Sequence, residues 1–178
     1  MNFPMAQRIL GIMLMIFSLT MLPPIGVSLL YADGHWQPFL ASGAIIAAIG
    51  LLLWMPARHS RRDLRLRDGF LIVSVFWVFL GLAGATPLYL SDVPDLSFTD
   101  AVFEAVSGFT TTGATVIIGL DALPKAILYY RQQIQWFGGM GIIGLAVAIL
   151  PSLGIGGMSL YKAETPGPMK DPELTPPI

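Results

Sequence analysis

The strongest constraint on this chain is a run from Ile9 to Tyr31 that contains no charged residue. A helix needs about 20 apolar residues to cross roughly 30 Å of hydrocarbon, and this run is long enough. Phe39–Met55 is a second uncharged run, shorter than the first, and Gly69–Leu90 is a third. Phe137–Leu150 is the apolar centre of a fourth. Composition agrees. Of 178 residues, 54% are hydrophobic and 12% charged, whereas a soluble domain carries about 25% charged residues. The class expected is an all-α integral membrane protein.

Pro23 and Pro24 are expected to break the first run near its far end, because proline removes a helix donor. A cleaved signal peptide is the rival reading, since Arg8 precedes the run. The run is too long for such a segment, and no small-x-small cleavage site follows it. Tyr129, Tyr130 and Trp136 precede the fourth run and read as interfacial aromatics. Gly138, Gly139, Gly141 and Gly144 within it suit close helix packing or a bend, with packing the preferred reading.

Several classes of function drop out. A net charge of −1 gives no footprint for nucleic acid. With no cysteine there is no disulfide, thiolate metal site or cysteine nucleophile. His35 and His59 flank a hydrophobic segment, so a shared metal site is not expected. Ser107-Gly108 has no histidine or lysine within the membrane to activate a serine nucleophile.

Charge also sets orientation. Arg58, Arg61, Arg62, Arg65 and Arg67 fall between the second and third runs, while Ala32–Pro38 holds no Lys or Arg. The positive-inside rule puts the arginine cluster in the cytoplasm, where it would also face anionic lipid headgroups. The N-terminus is then cytoplasmic, and the segment Ser91–Gln133 begins and ends outside.

That external segment contains an element that does not span. Ser97 and Asp100 have the capping-box spacing of a helix start. Phe98–Phe109 then reads as a helix of roughly 18 Å, too short to cross. Ala101, Val102, Ala105, Val106 and Phe109 give it a packing face. Thr110-Thr111-Thr112-Gly113-Ala114-Thr115 follows, and β-branched threonines favour extended backbone. Such backbone at membrane depth is tolerated only where it is buried in protein or lines a watery cavity. If its carbonyls share an axis, they can replace the hydration shell of a monovalent cation. Gly113 has the backbone freedom to turn consecutive carbonyls the same way. A capped surface turn would have the same residue types.

Other polar residues have two readings each. Glu104 is a membrane-embedded acid and so a functional candidate. It would otherwise bond backbone near the loop or face an outer vestibule, and the structural role is preferred. Arg131 would begin the last helix at the outer interface, acting on cation entry or, as preferred, anchoring by snorkelling. Asp92, Asp95, Asp100 and Asp121 would either concentrate cations weakly or be ordinary solvated charges.

The run Phe103-Glu104-Ala105-Val106-Ser107-Gly108-Phe109-Thr110-Thr111-Thr112-Gly113-Ala114-Thr115 resembles the first pore loop of the Trk/Ktr/HKT potassium-transporter superfamily. Gln135-Trp136-Phe137-Gly138-Gly139-Met140-Gly141-Ile142 resembles the inner helix after it, and Gly157–Pro168 the cytoplasmic link that follows. The resemblance implies a potassium-channel-like fold. Two N-terminal transmembrane helices (residues 1–66, with the arginine loop) would precede one pore repeat (67–151). That repeat comprises an outer helix 69–90, a pore helix 97–109, a filter loop 110–115 and an inner helix 133–151. A Pro-rich cytoplasmic linker (152–178) closes the chain.

It further implies K⁺ ligands among the carbonyls of Thr111, Thr112, Gly113 and Ala114, with Thr110 and Thr115 flanking and Glu104 and Arg131 as supporting residues. The family filter glycine falls on Gly113. The expected activity is K⁺ uptake across a bacterial inner membrane without a cofactor and without enzymatic chemistry. The expected partners are membrane lipid, a second protomer, and a cytosolic nucleotide-binding regulatory subunit of the TrkA type, with no nucleic acid. The family ring needs four repeats and this chain holds one, so a truncated transporter is the preferred expectation. An inactive membrane fragment or scaffold is the alternative.

Overall fold

The computed structural model describes residues 3–58 and 66–149. All regular structure among them is helical: α1 (Phe3–Leu19), α2 (Leu22–Tyr31), α3 (Gln37–Ala57), α4 (Leu66–Tyr89), α5 (Phe98–Phe109), a 3-10 turn at Leu120–Ala122, and α6 (Lys125–Ile149). The chain divides into two compact units, Met1–Gly139 and Met140–Ile178. In the second unit the described residues continue α6 to Ile149. Three stretches among the described residues are long and apolar enough to cross a membrane: Phe3–Tyr31, Gln37–Ala57 and Ile72–Tyr89. His59, Arg61, Arg62, Arg65, Leu150 and the expected linker 152–178 lie outside the described residues.

The first apolar run is two helices, and the break falls at Thr20-Met21 rather than at the prolines. Pro23 and Pro24 occupy the first turn of α2, where a missing N–H is harmless. Their effect is felt one turn earlier, because the carbonyls of Leu19 and Thr20 lose their normal helical donors. The chain supplies a substitute at Thr20: its carbonyl accepts a 2.7 Å hydrogen bond from Gln133 Nε2 of α6. At membrane depth an unpaired carbonyl is costly, so this long-range bond makes the break tolerable.

α1 lies along α3 with the backbones almost touching. A Cβ on Gly11 would sit 2.6 Å from the Gly50 carbonyl oxygen, and one on Gly50 would sit 2.8 Å from that of Gly11. Gln7 Nε2 also donates to the Leu53 carbonyl at 3.0 Å. The core then runs from Leu14, Phe17 and Met21 through Phe39 and Ile46 to Leu80, Leu88, Phe109, Ile127 and Tyr130. Phe17 meets Phe109 at 5.9 Å between ring centroids, and Phe39 meets Tyr130 edge-on at 5.4 Å. These ring pairs join the N-terminal helices to α5 and α6.

α6 begins well before the expected Gln133, for an identifiable reason. Pro124 precedes its first residue, and the open N–H of Ala126 donates to Asp33 Oδ2 at 3.0 Å. Asp33 thus caps a helix almost a hundred residues away. Its other oxygen accepts from the Ser28 hydroxyl and from the His35 N–H. Burial pushes the Asp33 carboxyl pKa up, but the bonds from Ser28, Ala126 and His35 outweigh it and hold the net value below the ordinary carboxylate range.

The longer α6 corrects two expectations. Tyr130 is not an interfacial aromatic: it is fully buried, and its hydroxyl donates to the Gly84 carbonyl at 2.8 Å. Tyr129 and Trp136 do remain exposed. Arg131 does not start the helix and does not snorkel, because it lies inside α6 with only 9% of its surface exposed.

Candidate functional site

The candidate site is the loop that follows α5, and α5 is built to hold it. Ser97 caps the helix, its hydroxyl oxygen accepting from the Asp100 N–H at 3.2 Å while its own proton goes to the Asp100 carboxylate at 2.7 Å. Ala101, Ala105 and Phe109 face the core as the spacing suggests. Val106 is exposed instead, and Glu104, Ser107 and Gly108 are buried. The buried face therefore carries a carboxylate and a hydroxyl. Gly84 of α4 leaves room for the Phe109 ring, since a Cβ there would fall 2.4 Å from Phe109 Cε2.

The helix ends in a Schellman turn. Thr112 N–H donates to the Ser107 carbonyl at 3.0 Å, and Thr111 N–H donates to that of Gly108 at 2.9 Å. Such a turn puts one residue in the left-handed region, usually glycine. Here it is Thr111, at φ 56°. The uniformly extended Thr-Thr-Thr run expected from the residue types is thus interrupted, because closing the helix end outweighs the β-branched preference. Left-handed backbone costs a non-glycine residue about 1–2 kcal/mol. Thr111→Gly is therefore expected to stabilise the fold by up to about 1 kcal/mol, after allowing for the greater freedom of unfolded glycine. Thermal unfolding in detergent reads this directly, and a destabilised T111G would show that Thr111 is not strained.

Side chains of α5 then hold both ends of the loop. The Ser107 hydroxyl donates to the Ala114 carbonyl at 2.7 Å. Thr110 Oγ1 donates to the Val106 carbonyl at 2.8 Å and lies 2.8 Å from Thr112 Oγ1, which must supply the proton between them. Glu104 Oε1 accepts from Thr115 Oγ1 at 2.5 Å and from the Val116 N–H at 2.7 Å. Glu104 Oε2 accepts from Arg131 Nη2 at 2.9 Å and Nε at 3.2 Å. Glu104 is 3% exposed, and its hydrogen bonds among the described residues all come from Thr115, Val116 and Arg131. A buried charge needs such complete pairing.

The expected site residues therefore come together, in unequal roles. Thr111, Thr112 and Gly113 lie on an exposed stretch, and no donor among the described residues reaches their carbonyls. Gly113 is left-handed at φ 74°. The Ala114 carbonyl already accepts one hydrogen bond, and Thr115, though exposed, commits its hydroxyl to Glu104. Ser107, weighed in the sequence only as a nucleophile, is a clamp. Its signal was its position three residues after Glu104, which puts both polar groups on one face of an otherwise apolar helix. Asp33, Gln133 and Val116 carried no local signal, since each acts on a distant segment.

Apolar spanning helices and a short helix with a tethered, exposed loop define a polytopic membrane protein. A family model described as the TrkH cation transport protein matches residues 35–178, and this chain belongs to that family. The Trk system potassium uptake protein TrkH of Halomonas elongata is 62% identical over the whole chain, and the protein of that name from Vibrio parahaemolyticus is 57% identical. The crystal structure of the potassium transporter TrkH from Vibrio parahaemolyticus superposes with a TM-score of 0.83 at 56% identity, covering 92% of this chain and 35% of that one. The chain spans 37% of the length of the two curated relatives. The family is one of cation transport proteins, not enzymes, with no cofactor in its description. The family expected from the loop sequence is thus the family found.

Proposed function

We propose that this chain forms part of the translocating subunit of a Trk-type K⁺ uptake system in the bacterial inner membrane. In this reading α1–α2 and α3 are the preceding helix pair, α4 the outer helix, α5 the pore helix and α6 the inner helix. Residues 110–115 form one filter segment. The observation that carries the reading is the backbone at Thr111 and Gly113: both are left-handed, and the carbonyls of residues 111–113 have no donor among the described residues. Alternating backbone hand turns successive carbonyls to one side, where they can replace the water around K⁺. The C-terminal end of α5 adds a negative partial charge beside them.

One segment surrounds only part of an ion, so the remaining ligands come from other segments of a longer protein or assembly. In the same reading the arginine cluster faces the cytoplasm by the positive-inside rule, with both chain ends on that side. A homodimer in membrane lipid and a TrkA-type cytosolic regulatory subunit belong to the same proposal.

Gly113→Ser in the full-length protein tests it. A Cβ at φ 74° strains the backbone that aims these carbonyls. A loss of about 1.4 kcal/mol in differential binding would be a tenfold fall in K⁺-over-Na⁺ discrimination. Uptake and selectivity equal to the parent would overturn the filter assignment. They would leave the membrane-scaffold reading in its place.

A further inference from the structure

Beyond its direct ligands, an ion site is set by what holds those ligands in place. Arg131, Gln135 and Gly139 recur every four residues along α6 and so share one face. Each meets a different level of the loop. Arg131 reaches the Thr115–Val116 end through Glu104, with donors 2.9 and 3.2 Å from Oε2. Gln135 comes next: its Nε2 is the nearest atom to where a Gly113 Cβ would sit, at 4.0 Å. Gly139 faces Thr111, whose Cγ2 lies 4.0 Å from where a Gly139 Cβ would sit. Gly138 lets this face come so close, because its own Cβ would overlap the Phe109 carbonyl oxygen at 2.1 Å.

We propose that this stripe of α6 is a template that sets the spacing of the loop carbonyls, with Arg131 and Gln135 as positioning residues for cation selectivity. The inference rests on the filter reading above and adds the residues that tune it. The Gln135 side chain makes no hydrogen bond among the described residues, and its carboxamide instead packs behind the Gly113 backbone. Arg131 fixes the level of the loop by a two-pronged grip on a carboxylate that itself grips the loop, a geometry that lysine cannot reproduce.

The test uses the full-length protein in cells lacking other K⁺ uptake, with Rb⁺ uptake measured against increasing Na⁺. Arg131→Lys keeps the charge and Gln135→Ala removes only an unbonded amide, so both variants should reach the membrane in normal amounts. Each is expected to lower Rb⁺-over-Na⁺ discrimination by about tenfold, on the scale of the affinity lost with an outer-shell partner at other metal sites. Gln135→Asn should recover part of the loss. A merely structural role would change the amount of protein and leave the discrimination ratio alone. If G113S shifts selectivity while R131K and Q135A match the parent, the template is wrong and the filter reading stands. If G113S also matches the parent, the filter reading falls and takes the template with it.

Discussion

Arg131→Met should be among the most damaging single substitutions in the described part of this protein. It leaves the Glu104 carboxylate 3% exposed with its cationic partner gone. Breaking a buried pair from one side costs about 3–5 kcal/mol, because the remaining charge is neither solvated nor paired. The expected readout is a melting temperature lower by on the order of 10 °C in detergent, with less protein recovered from the membrane. The double variant Glu104→Gln/Arg131→Met is expected to recover much of the loss. The glutamine oxygen can still accept from Thr115 and Val116, and no uncompensated charge remains. Strict additivity of the two single effects would show that the groups do not act as a pair. A melting point for Arg131→Met equal to the parent's would show that Glu104 is solvated after all.

The second large effect is expected at Gly138. A Cβ there would lie 2.1 Å from the Phe109 carbonyl oxygen, 2.7 Å from its carbon and 2.9 Å from its Cα. All three are backbone atoms at the end of α5, so no side chain can swing away. Gly138→Ala must push α6 from the helix that carries the loop, and overpacking of this kind costs about 1–3 kcal/mol. The adjacent glycine is the control. A Cβ on Gly139 would have Thr111 Cγ2 as its nearest neighbour at 4.0 Å, an ordinary contact. Gly139→Ala should be neutral or up to about 1 kcal/mol stabilising, as alanine favours a helix over glycine. Equal melting points for G138A and G139A would sink the claim that α6 touches the end of α5.

The contrast between neighbouring glycines shows what the sequence can and cannot display. A Gly-Gly pair in a helix announces close packing, yet nothing local says which member touches and which faces open space. Much else was legible. The spanning runs follow from length and lack of charge, since hydrocarbon admits little else. The limits of α5 follow from the Ser97 cap and the threonine run that starts at Thr110, and its shortness excludes a crossing. The loop residues and the family were legible in the order of side chains from Phe103 to Thr115.

Tertiary structure decided the rest, because each remaining feature depends on groups far apart in the chain. Asp33 starts α6 early by capping Ala126, and Gln133 makes the α1–α2 break bearable by bonding Thr20. Arg131 reads as an interfacial anchor in sequence because arginine usually seeks water. Only the fold brings it within 2.9 Å of Glu104 and makes burial the lower-energy choice. Thr111 looks like extended backbone by its type, and becomes left-handed because two carbonyls at the end of α5 need donors. Residue type and spacing thus determined the class of the protein, three of the expected spans and the position of the loop. Contacts that no local pattern encodes decided the shape of the loop and the groups that hold it.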